Sequence, residues 1–123
     1  MKALLIVAHG SRREESNQEV RDLSQRFAKS QKEFDFVDSA FLEIADPSIP
    51  GGLERCIERG AQEIVVLPHF LAAGRHVIKD IPAEVAPIKS RYPHVSFRIT
   101  PHLGASSIMV DAMLDLAQTT NSR

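Results

Sequence analysis

The chain has 123 residues, the size of one compact domain that can bury a core of its own. Hydrophobic residues make up 43% and charged residues 25%, as in globular proteins and unlike disordered or fibrous chains. The 15 basic and 16 acidic residues give a net charge of −1, which offers no basic excess for binding nucleic acid or an anionic membrane.

A single cysteine, Cys56, excludes a disulfide within the chain and a cysteine-rich zinc or iron–sulfur site. We therefore expect a reducing, cytoplasmic location. The apolar run near the N-terminus is too short to span a membrane, and no signal-peptide cleavage region follows it. We interpret this run as a buried strand.

The first predicted unit is a strand, a turn and a helix. Lys2 to Ala8 is almost unbroken Ala, Leu, Ile and Val, as expected for a central parallel strand covered on both faces. Ser11 and Glu14 have the S-x-x-E spacing of a capping box at a helix N-terminus. Apolar residues then recur at helical spacing on the face predicted to be buried: Val20, Leu23 and Phe27.

A second unit follows, and a third begins after it. Phe34 to Leu42 is rich in aromatic and β-branched residues and predicts a strand, and Asp46-Pro47-Ser48 is a helix-entry signal. Gly60 stands where a left-handed C-terminal cap is needed, just before the apolar strand predicted at Glu63 to Pro68. The helix predicted between these two strands has an apolar stripe of Leu53, Cys56 and Ile57. Because Cys56 lies on this stripe, its favoured role is packing in the core.

The connection after the third strand is predicted to be longer, from Phe70 to Asp80, before helical spacing resumes. Pro82 suits a first helical turn, whereas Pro87 is expected to kink or shorten the helix. The stripe of this helix is Ile81, Val85 and Ile88.

The last unit is an edge strand and a helix. From Val95 to Thr100 apolar and polar residues alternate, which predicts a strand with one wetter face. The final helix has the apolar stripe Met109, Val110, Met113, Leu114 and Ala117. We predict one domain over residues 1–118 and a polar tail over residues 119–123.

Four strands alternating with helices predict an α/β fold: an open parallel sheet of order 2-1-3-4 with helices on both faces. Ligands of such sheets bind beyond the carboxyl ends of the strands. Imidazoles and a carboxylate are predicted to follow the strands and could converge at that edge: His9, Glu43, His69, His76 and His102. His94 precedes its strand and is expected at the opposite end.

Each of these residues also has a plain structural interpretation. His9 and His76 could cap a helix or bond a neighbouring loop, and Glu43 could be a surface carboxylate. His69 and His102 could equally be loop residues beside a site rather than in it. Sequence position alone leaves these alternatives open.

The turn after the first strand also offers an anion site. Gly10 and Ser11 precede a helix N-terminus, whose free amides and dipole attract carboxylates or phosphates. Arg12, Arg13 and Arg75 could add positive charge. These residues favour an anionic small molecule as the ligand.

Four motifs in this order resemble the small class II tetrapyrrole chelatases. They are His9-Gly10-Ser11-Arg12, Phe41-Leu42-Glu43, Leu67-Pro68-His69-Phe70-Leu71, and the run from Gly74-Arg75-His76 to Pro82. That family includes the short sirohydrochlorin cobaltochelatases and the related ferrochelatases and nickelochelatases. The resemblance covers the chain up to its last helix.

The resemblance implies one flavodoxin-like lobe of a two-lobed cleft, which short forms rebuild as homodimers. It implies sirohydrochlorin, a tetrapyrrole rich in carboxylates, as substrate, with the divalent metal as second substrate and no tightly bound cofactor. By carry-over from the family motifs, His9 and His76 bind the metal and act in catalysis, and Glu43 lies nearby. His69 and His102 acquire no role from it.

The chemistry of metal insertion suits these residue types. The pyrrole protons must leave, which requires a base that is neutral near pH 7, and imidazole has an ordinary pKa of about 6.5. Two histidines, with Glu43 and water, would leave open positions for the incoming pyrrole nitrogens. The resemblance favours Co(II), whereas Fe(II) and Ni(II) accept imidazole equally.

Three other functions are compatible with parts of the pattern. A metal or tetrapyrrole carrier would use the same residues without turnover. A histidine phosphatase would need an arginine before its reactive histidine, and that position is Ala8. A flavodoxin-like signalling module would need a phosphorylatable aspartate at a strand end, where this chain has His9 and Glu43.

Overall fold

The computed structural model describes residues 1–119, with the backbone alone at His76. Residues 120–123, most of the predicted tail, lie outside the described part. In chain order the elements are β1 (Lys2–Ala8), α1 (Glu14–Lys29), β2 (Phe36–Phe41), α2 (Ile49–Glu58), β3 (Glu63–Pro68), α3 (Arg75–Arg91), β4 (Ser96–Ile99), the short 3₁₀ turn η1 (Leu103–Ala105) and α4 (Ile108–Ala117).

The sheet has the predicted topology. Its four strands are parallel and lie in the order β2-β1-β3-β4. The two central strands are the most apolar, because both of their faces are covered, while β4 alternates exposed and half-buried residues at the edge. All four carboxyl ends therefore meet at one edge of the sheet.

One side of the sheet is closed by α2 and α3. The buried residues of this α2–α3 side come from both helices and from β1 and β3, and they include Leu5, Val7, Ile64, Val66, Leu53, Cys56, Ile81, Val85 and Ile88. The predicted stripes of these two helices are thus confirmed. Cys56 has its predicted packing role, and its burial raises the pKa of the thiol to about 12.

The other side, the α1 side, is only partly covered. Leu4, Ile6 and Val65 are buried there, and Val20 of α1 packs against them. Leu23 and Phe27, predicted to be buried, are 36% and 37% exposed. They line an open apolar groove of about 290 Å³ whose floor includes Leu4 and Ile6.

The last helix does not pack against the sheet. The predicted apolar stripe does form a helix, but its large side chains are 56–72% exposed: Ile108, Val110, Met113, Leu114 and Leu116. Its main contact with another element of the described chain is with η1. Extended backbone at Ser106 precedes α4, and the apolar stripe of the helix stays exposed.

Helix boundaries differ from the prediction at two N-termini. α1 begins at Glu14 with Arg13 at its N-cap, so Ser11 stays outside the helix. α3 begins at Arg75, so both Pro82 and Pro87 lie inside it and the loop before it is shorter than predicted. Burial of the Ile81 stripe against α2 and the sheet stabilises α3 despite the backbone bonds that its prolines cannot make.

Two predicted boundary signals are confirmed. Ser48 caps α2, its hydroxyl accepting a 3.1 Å hydrogen bond from the amide of Gly51. Gly60 follows the helix with a φ of 104°. No helix among residues 1–119 has the length and apolar character to cross a membrane; the expected cytoplasmic location stays a prediction.

Close contact between α2 and the sheet predicts an asymmetric response to substitution. A Cβ at Gly52 would lie 3.0 Å from the Cβ of Ala40 and 3.2 Å from Cδ1 of Leu5, whereas one at Gly51 would face the Ser48 hydroxyl. Gly52→Val should therefore lower the free energy of unfolding by about 1–3 kcal/mol more than Gly51→Val, which has the same change in helix propensity. Urea denaturation of both variants tests this, and equal losses would contradict it.

Candidate metal and proton-transfer site

A histidine and a glutamate meet at the carboxyl edge of the sheet. Nε2 of His9, just after β1, lies 2.8 Å from Oε2 of Glu43, just after β2. The side chains are 52% and 59% exposed, so the pair opens to solvent. An imidazole nitrogen and a carboxylate oxygen are both ligands for divalent transition metals and both accept protons.

Strand pairing brings the two residues together. Ala8 and Phe41 are partners in the parallel register of β1 and β2. The ladder continues past the strands, because the amide of Glu43 donates to the carbonyl of His9 at 3.0 Å. Residues that follow two registered parallel strands are neighbours, so the pair follows from the sheet.

Gly10 lets the two loops touch. It has a φ of 98°, a left-handed conformation that favours glycine. A Cβ built at this position would overlap the carbonyl oxygen of Glu43. The glycine of the His-Gly-Ser motif is therefore required by the close approach of the Glu43 loop.

The next residue of the motif is held by a buried asparagine. Oδ1 of Asn17 accepts from the amide of Ser11 at 2.9 Å, and Nδ2 donates to its carbonyl at 2.8 Å. The Ser11 hydroxyl accepts from the amide of Arg13, so it does not form the predicted capping box. Because the Ser11 amide already has a partner, it is not a free donor for an anionic ligand.

Sequence reasoning gave no role to Asn17, which is 4% exposed. The signal that could have identified it is an asparagine inside a predicted helical stretch, where its side chain competes with the backbone for hydrogen bonds. Its burial shows that its amide group has a structural use.

A second polar residue of α1 holds the Glu43 loop. Nη2 of Arg21 donates to the carbonyl of Asp46 at 3.4 Å, and the guanidinium lies 5.2 Å from the ring centroid of Phe41. Nη1 of Arg21 also pairs with Glu14 at 2.6 Å. The hydrogen bond from Arg21, and to a smaller extent the one from Asn17, lowers the pKa of the Glu14 carboxyl.

An aromatic ring lies beside His9. The ring of Phe70, which follows β3, stands edge-on to the His9 ring at 85°, with 6.4 Å between centroids. Phe70 appeared in the sequence analysis only as part of a motif. The structure gives it an apolar contact that limits the orientations of the His9 ring.

The remaining candidates occupy different surroundings. His69 lies in the groove on the α1 side with Leu23 and Phe27. His102 lines an apolar cavity of about 260 Å³ beside Pro68 and Ile81. His94 is exposed and precedes β4, at the opposite end as predicted.

The fourth motif begins α3. Gly74 is the N-cap, and Arg75 and His76 start the first turn. The side chain of His76 lies outside the described residues, so its predicted role with His9 stays a prediction. Arg12 and Arg75 are exposed and form no ion pair with a described residue, which leaves both guanidinium groups available to an anion.

The described side chains do not form a closed metal site. No group of three or more His, Cys, Asp or Glu side chains among them is placed to hold a metal ion. His9 and Glu43 could supply two ligand atoms from one side.

Comparisons with known proteins agree on one family. The CbiX family model matches residues 3–120. The chloroplastic sirohydrochlorin ferrochelatase of Arabidopsis thaliana is 36% identical over 94% of this chain and 51% of its own length. The sirohydrochlorin cobaltochelatase of Methanocaldococcus jannaschii is 39% identical over 67% of this chain and 57% of its own length. The chain thus spans about half the length of the curated relatives it matches.

Solved structures show the same fold. A protein from Marinobacter aquaeolei described as a putative cobalamin biosynthesis CbiX protein has a TM-score of 0.83 at 26% identity, covering 96% of this chain and 95% of that one. The sirohydrochlorin chelatase of Bacillus subtilis in complex with cobalt has a TM-score of 0.79 at 33% identity, covering 94% and 51%. This chain therefore has the fold of nearly the whole Marinobacter protein and of about half of the Bacillus protein.

Contact between Gly10 and the Glu43 loop predicts that Gly10→Ala is more harmful than Gly60→Ala. Both glycines have left-handed φ values, but a Cβ at Gly60 would meet only Sδ of Met1, at 3.3 Å. Each variant should lose about 1–2 kcal/mol for its backbone conformation, and Gly10→Ala should lose more because its Cβ overlaps the Glu43 carbonyl. Chemical denaturation measures both losses; a smaller loss for Gly10→Ala would contradict the contact.

Proposed function

We propose that this chain, which belongs to the CbiX family, inserts a divalent metal ion into sirohydrochlorin. The observation that supports this most directly is the His9–Glu43 pair at the carboxyl edge of the sheet. It provides a nitrogen ligand and a carboxylate oxygen at a solvent-open position. Relatives named as sirohydrochlorin chelatases supply the substrate class.

In the proposed reaction His9 holds the metal ion as a ligand, and His76 does so with it, as the resemblance implies. Pyrrole nitrogens take the open coordination positions, and each N–H bond that breaks leaves its electron pair on nitrogen for the metal. The proton passes to Glu43 or to an imidazole and then to water. An imidazole that holds the metal has no free nitrogen lone pair, so Oε2 of Glu43, 2.8 Å from Nε2 of His9, is the acceptor placed beside that ligand.

The metal we propose is Co(II), with Fe(II) and Ni(II) as alternatives. Nitrogen and oxygen donors accept all three ions, and relatives named as cobaltochelatase and as ferrochelatase are both close to this chain. A carrier that binds the same substrates without turnover is the second candidate, because it would use the same pair.

The substrate's carboxylates have candidate partners in Arg12 and Arg75. Both follow carboxyl ends of the sheet, both are exposed, and neither forms an ion pair with a described residue. The apolar cavity beside His102 offers a neighbouring surface for the hydrocarbon part of a macrocycle. We propose that Gly10 contributes to substrate binding through its backbone. The amide and the carbonyl of Ser11 are both bonded to Asn17, so only its surface remains for contact with the substrate.

We also propose that the chain works as a homodimer in which α4 packs on a second copy. α4 carries apolar residues on all sides except at Asp111 and Asp115, and a helix of this composition is normally buried. The groove on the α1 side is apolar and lacks the second helix that such a sheet face usually has.

Charge also favours the α4 helix of a second copy as the occupant of this groove. Arg26 borders the groove beside Leu23. Arg98 is the register partner of Val65, so it projects to the same side of the sheet. Neither arginine, and neither aspartate of α4, has an ion-pair partner among the described residues. Glu19 lines the same surface as Arg26, so the aspartates of an α4 from a second copy would have to face the two arginines.

The area of uncovered surface is large enough for a stable interface. The chain exposes 8016 Å², whereas a compact monomer of 13.6 kDa is expected to expose roughly 6,600 Å². An ordinary interface buries about 800 Å² per partner. Reciprocal exchange of α4 would close the assembly at two copies, each supplying one lobe of the cleft.

The catalytic prediction compares histidines at the two ends of the sheet. His9→Ala and His76→Ala should each lower the rate of Co(II) insertion by about 10²–10⁴-fold, because a ligand and proton acceptor is lost. His94→Ala, at the opposite end, should match the wild type. The measurement follows the visible spectrum of sirohydrochlorin with Co(II), Fe(II) or Ni(II) against a control without protein.

Two outcomes of that assay would overturn the proposal. Folded His9→Ala and His76→Ala variants with wild-type rates would remove the assignment of these residues. Product that never exceeds one equivalent of protein would favour the carrier.

The dimer prediction uses two single variants, Leu23→Cys and Met113→Cys, mixed after separate purification. Exchange of α4 should give a covalent dimer containing one chain of each variant, whereas neither variant alone should. Native Cys56 is buried with a raised pKa and should not react. Mass spectrometry under oxidising, non-reducing conditions identifies the product.

The matched control places both cysteines in one chain. If that double variant forms a disulfide within the monomer, α4 folds back on its own groove and the exchange is wrong. Light scattering of the wild type should give twice the chain mass, and a monomer at all concentrations would also contradict the dimer.

A further inference from the structure

We infer that Asn17 and Arg21 are positioning residues for the His9–Glu43 pair: Asn17 fixes the turn that carries His9, and Arg21 fixes the loop that carries Glu43. The inference rests on the proposed role of that pair in metal insertion. Neither residue touches the pair, and both lie on α1, one turn apart and therefore on one face.

The pair cannot hold itself in place. Its two side chains are more than half exposed, and a hydrogen bond between exposed side chains is too weak to fix two loops. Exposed loops keep a defined geometry only when their backbone is fixed elsewhere. The supports must therefore be sought beneath the loops.

Asn17 supplies the first support. It is almost fully buried and makes one accepted and one donated hydrogen bond with the backbone of Ser11, at 2.9 and 2.8 Å. This closes the turn that leads from His9 into α1, so the direction in which His9 leaves β1 depends on Asn17. Asn17 thus bonds both the backbone amide and the backbone carbonyl of Ser11, as a neighbouring strand would, and so restrains the backbone there.

Arg21 supplies the second support. It donates to the carbonyl of Asp46 and lies over the ring of Phe41, and these residues stand on either side of Glu43. Phe41 is fully buried, so the loop is held between a rigid strand end and a guanidinium on α1. The loop that carries Glu43 thus has a contact with α1 on each side of the glutamate.

Glu14 joins the two supports. Its Oε1 accepts from Nδ2 of Asn17 at 3.3 Å, and its Oε2 pairs with Arg21 at 2.6 Å. A continuous set of hydrogen bonds therefore runs from the Ser11 turn through α1 to the Asp46 loop. These side chains of α1 add a second restraint to the backbone hydrogen bond that already joins Glu43 to His9.

The test uses Asn17→Ala and Arg21→Met with matched controls on the same helix. Ser24→Ala removes another buried polar side chain, whose hydroxyl bonds only to the Val20 carbonyl among the residues that the structure describes. Lys29→Met removes an exposed positive charge in the last turn of α1. All variants are compared as full-length chains, with folding checked by circular dichroism.

The first readout is the NMR signature of the His9 ring, assigned from His9→Ala. In Asn17→Ala and Arg21→Met the ring resonances should move toward those of Glu43→Ala, in which the hydrogen bond is absent. The two controls should leave them unchanged. If both positioning variants are folded and keep the wild-type resonances, the inference is wrong.

The second readout is the affinity for Co(II) alone. Loss of an outer partner typically weakens metal binding about 10–100-fold, and we expect this for Asn17→Ala and Arg21→Met but not for Ser24→Ala or Lys29→Met. Asn17→Asp would place a buried carboxylate oxygen against the Ser11 carbonyl and the Glu14 carboxylate, so its loss should be at least as large as that of Asn17→Ala. Equal Co(II) affinity in Asn17→Ala and Ser24→Ala would contradict positioning.

A double-mutant comparison separates positioning from general destabilisation. Because Asn17 acts through the pair, Asn17→Ala should weaken Co(II) binding less in a Glu43→Ala background than in the wild type. Fully additive losses would overturn the inference. If the wild type inserts no metal into sirohydrochlorin, the proposed function fails, whereas the ring resonances still decide whether Asn17 and Arg21 hold the pair.

Discussion

The register between β1 and β2 is the constraint on which the candidate site depends. Parallel pairing of Ala8 with Phe41 places the next residues of both strands side by side, and the ladder extends one step further through the Glu43 amide and the His9 carbonyl. Gly10 then allows the loops to approach more closely than any side chain would permit. An imidazole and a carboxylate thus meet although they are more than thirty positions apart in sequence.

Helix α1, which connects β1 and β2, has two structural roles. Its apolar face covers part of the sheet through Val20, and its polar residues near the carboxyl edge hold the two loops. The first task needs only hydrophobicity at helical spacing, which many sequences satisfy. The second needs an amide and a guanidinium at particular positions, because directional hydrogen bonds to carbonyl groups fail when displaced by about an ångström.

A half-covered sheet explains the other unusual feature of the chain. A domain of this size closes its core with helices on both faces, yet the helix available for the α1 side extends away from it. The apolar residues of α4 and the apolar groove beside α1 are both exposed. Binding of α4 in such a groove would remove both apolar surfaces from water. The proposed dimer would meet this packing requirement, and two copies together would have about the length of the relatives that this chain half covers.

The sequence by itself determined the fold class and much of the architecture: the strand order, the α2 and α3 stripes, the Ser48 cap and the Gly60 turn. These features depend on local periodicity and on short-range backbone preferences, which a single sequence displays. It also identified His9 and Glu43 as neighbours, because parallel strands have a common carboxyl edge. Only the tertiary structure decided that Ser11 serves Asn17 instead of capping the helix, that Phe70 stands beside His9, and that α4 leaves its own sheet uncovered. Those outcomes depend on distances between residues remote in sequence, and composition and spacing carry no information about such distances until the chain is folded.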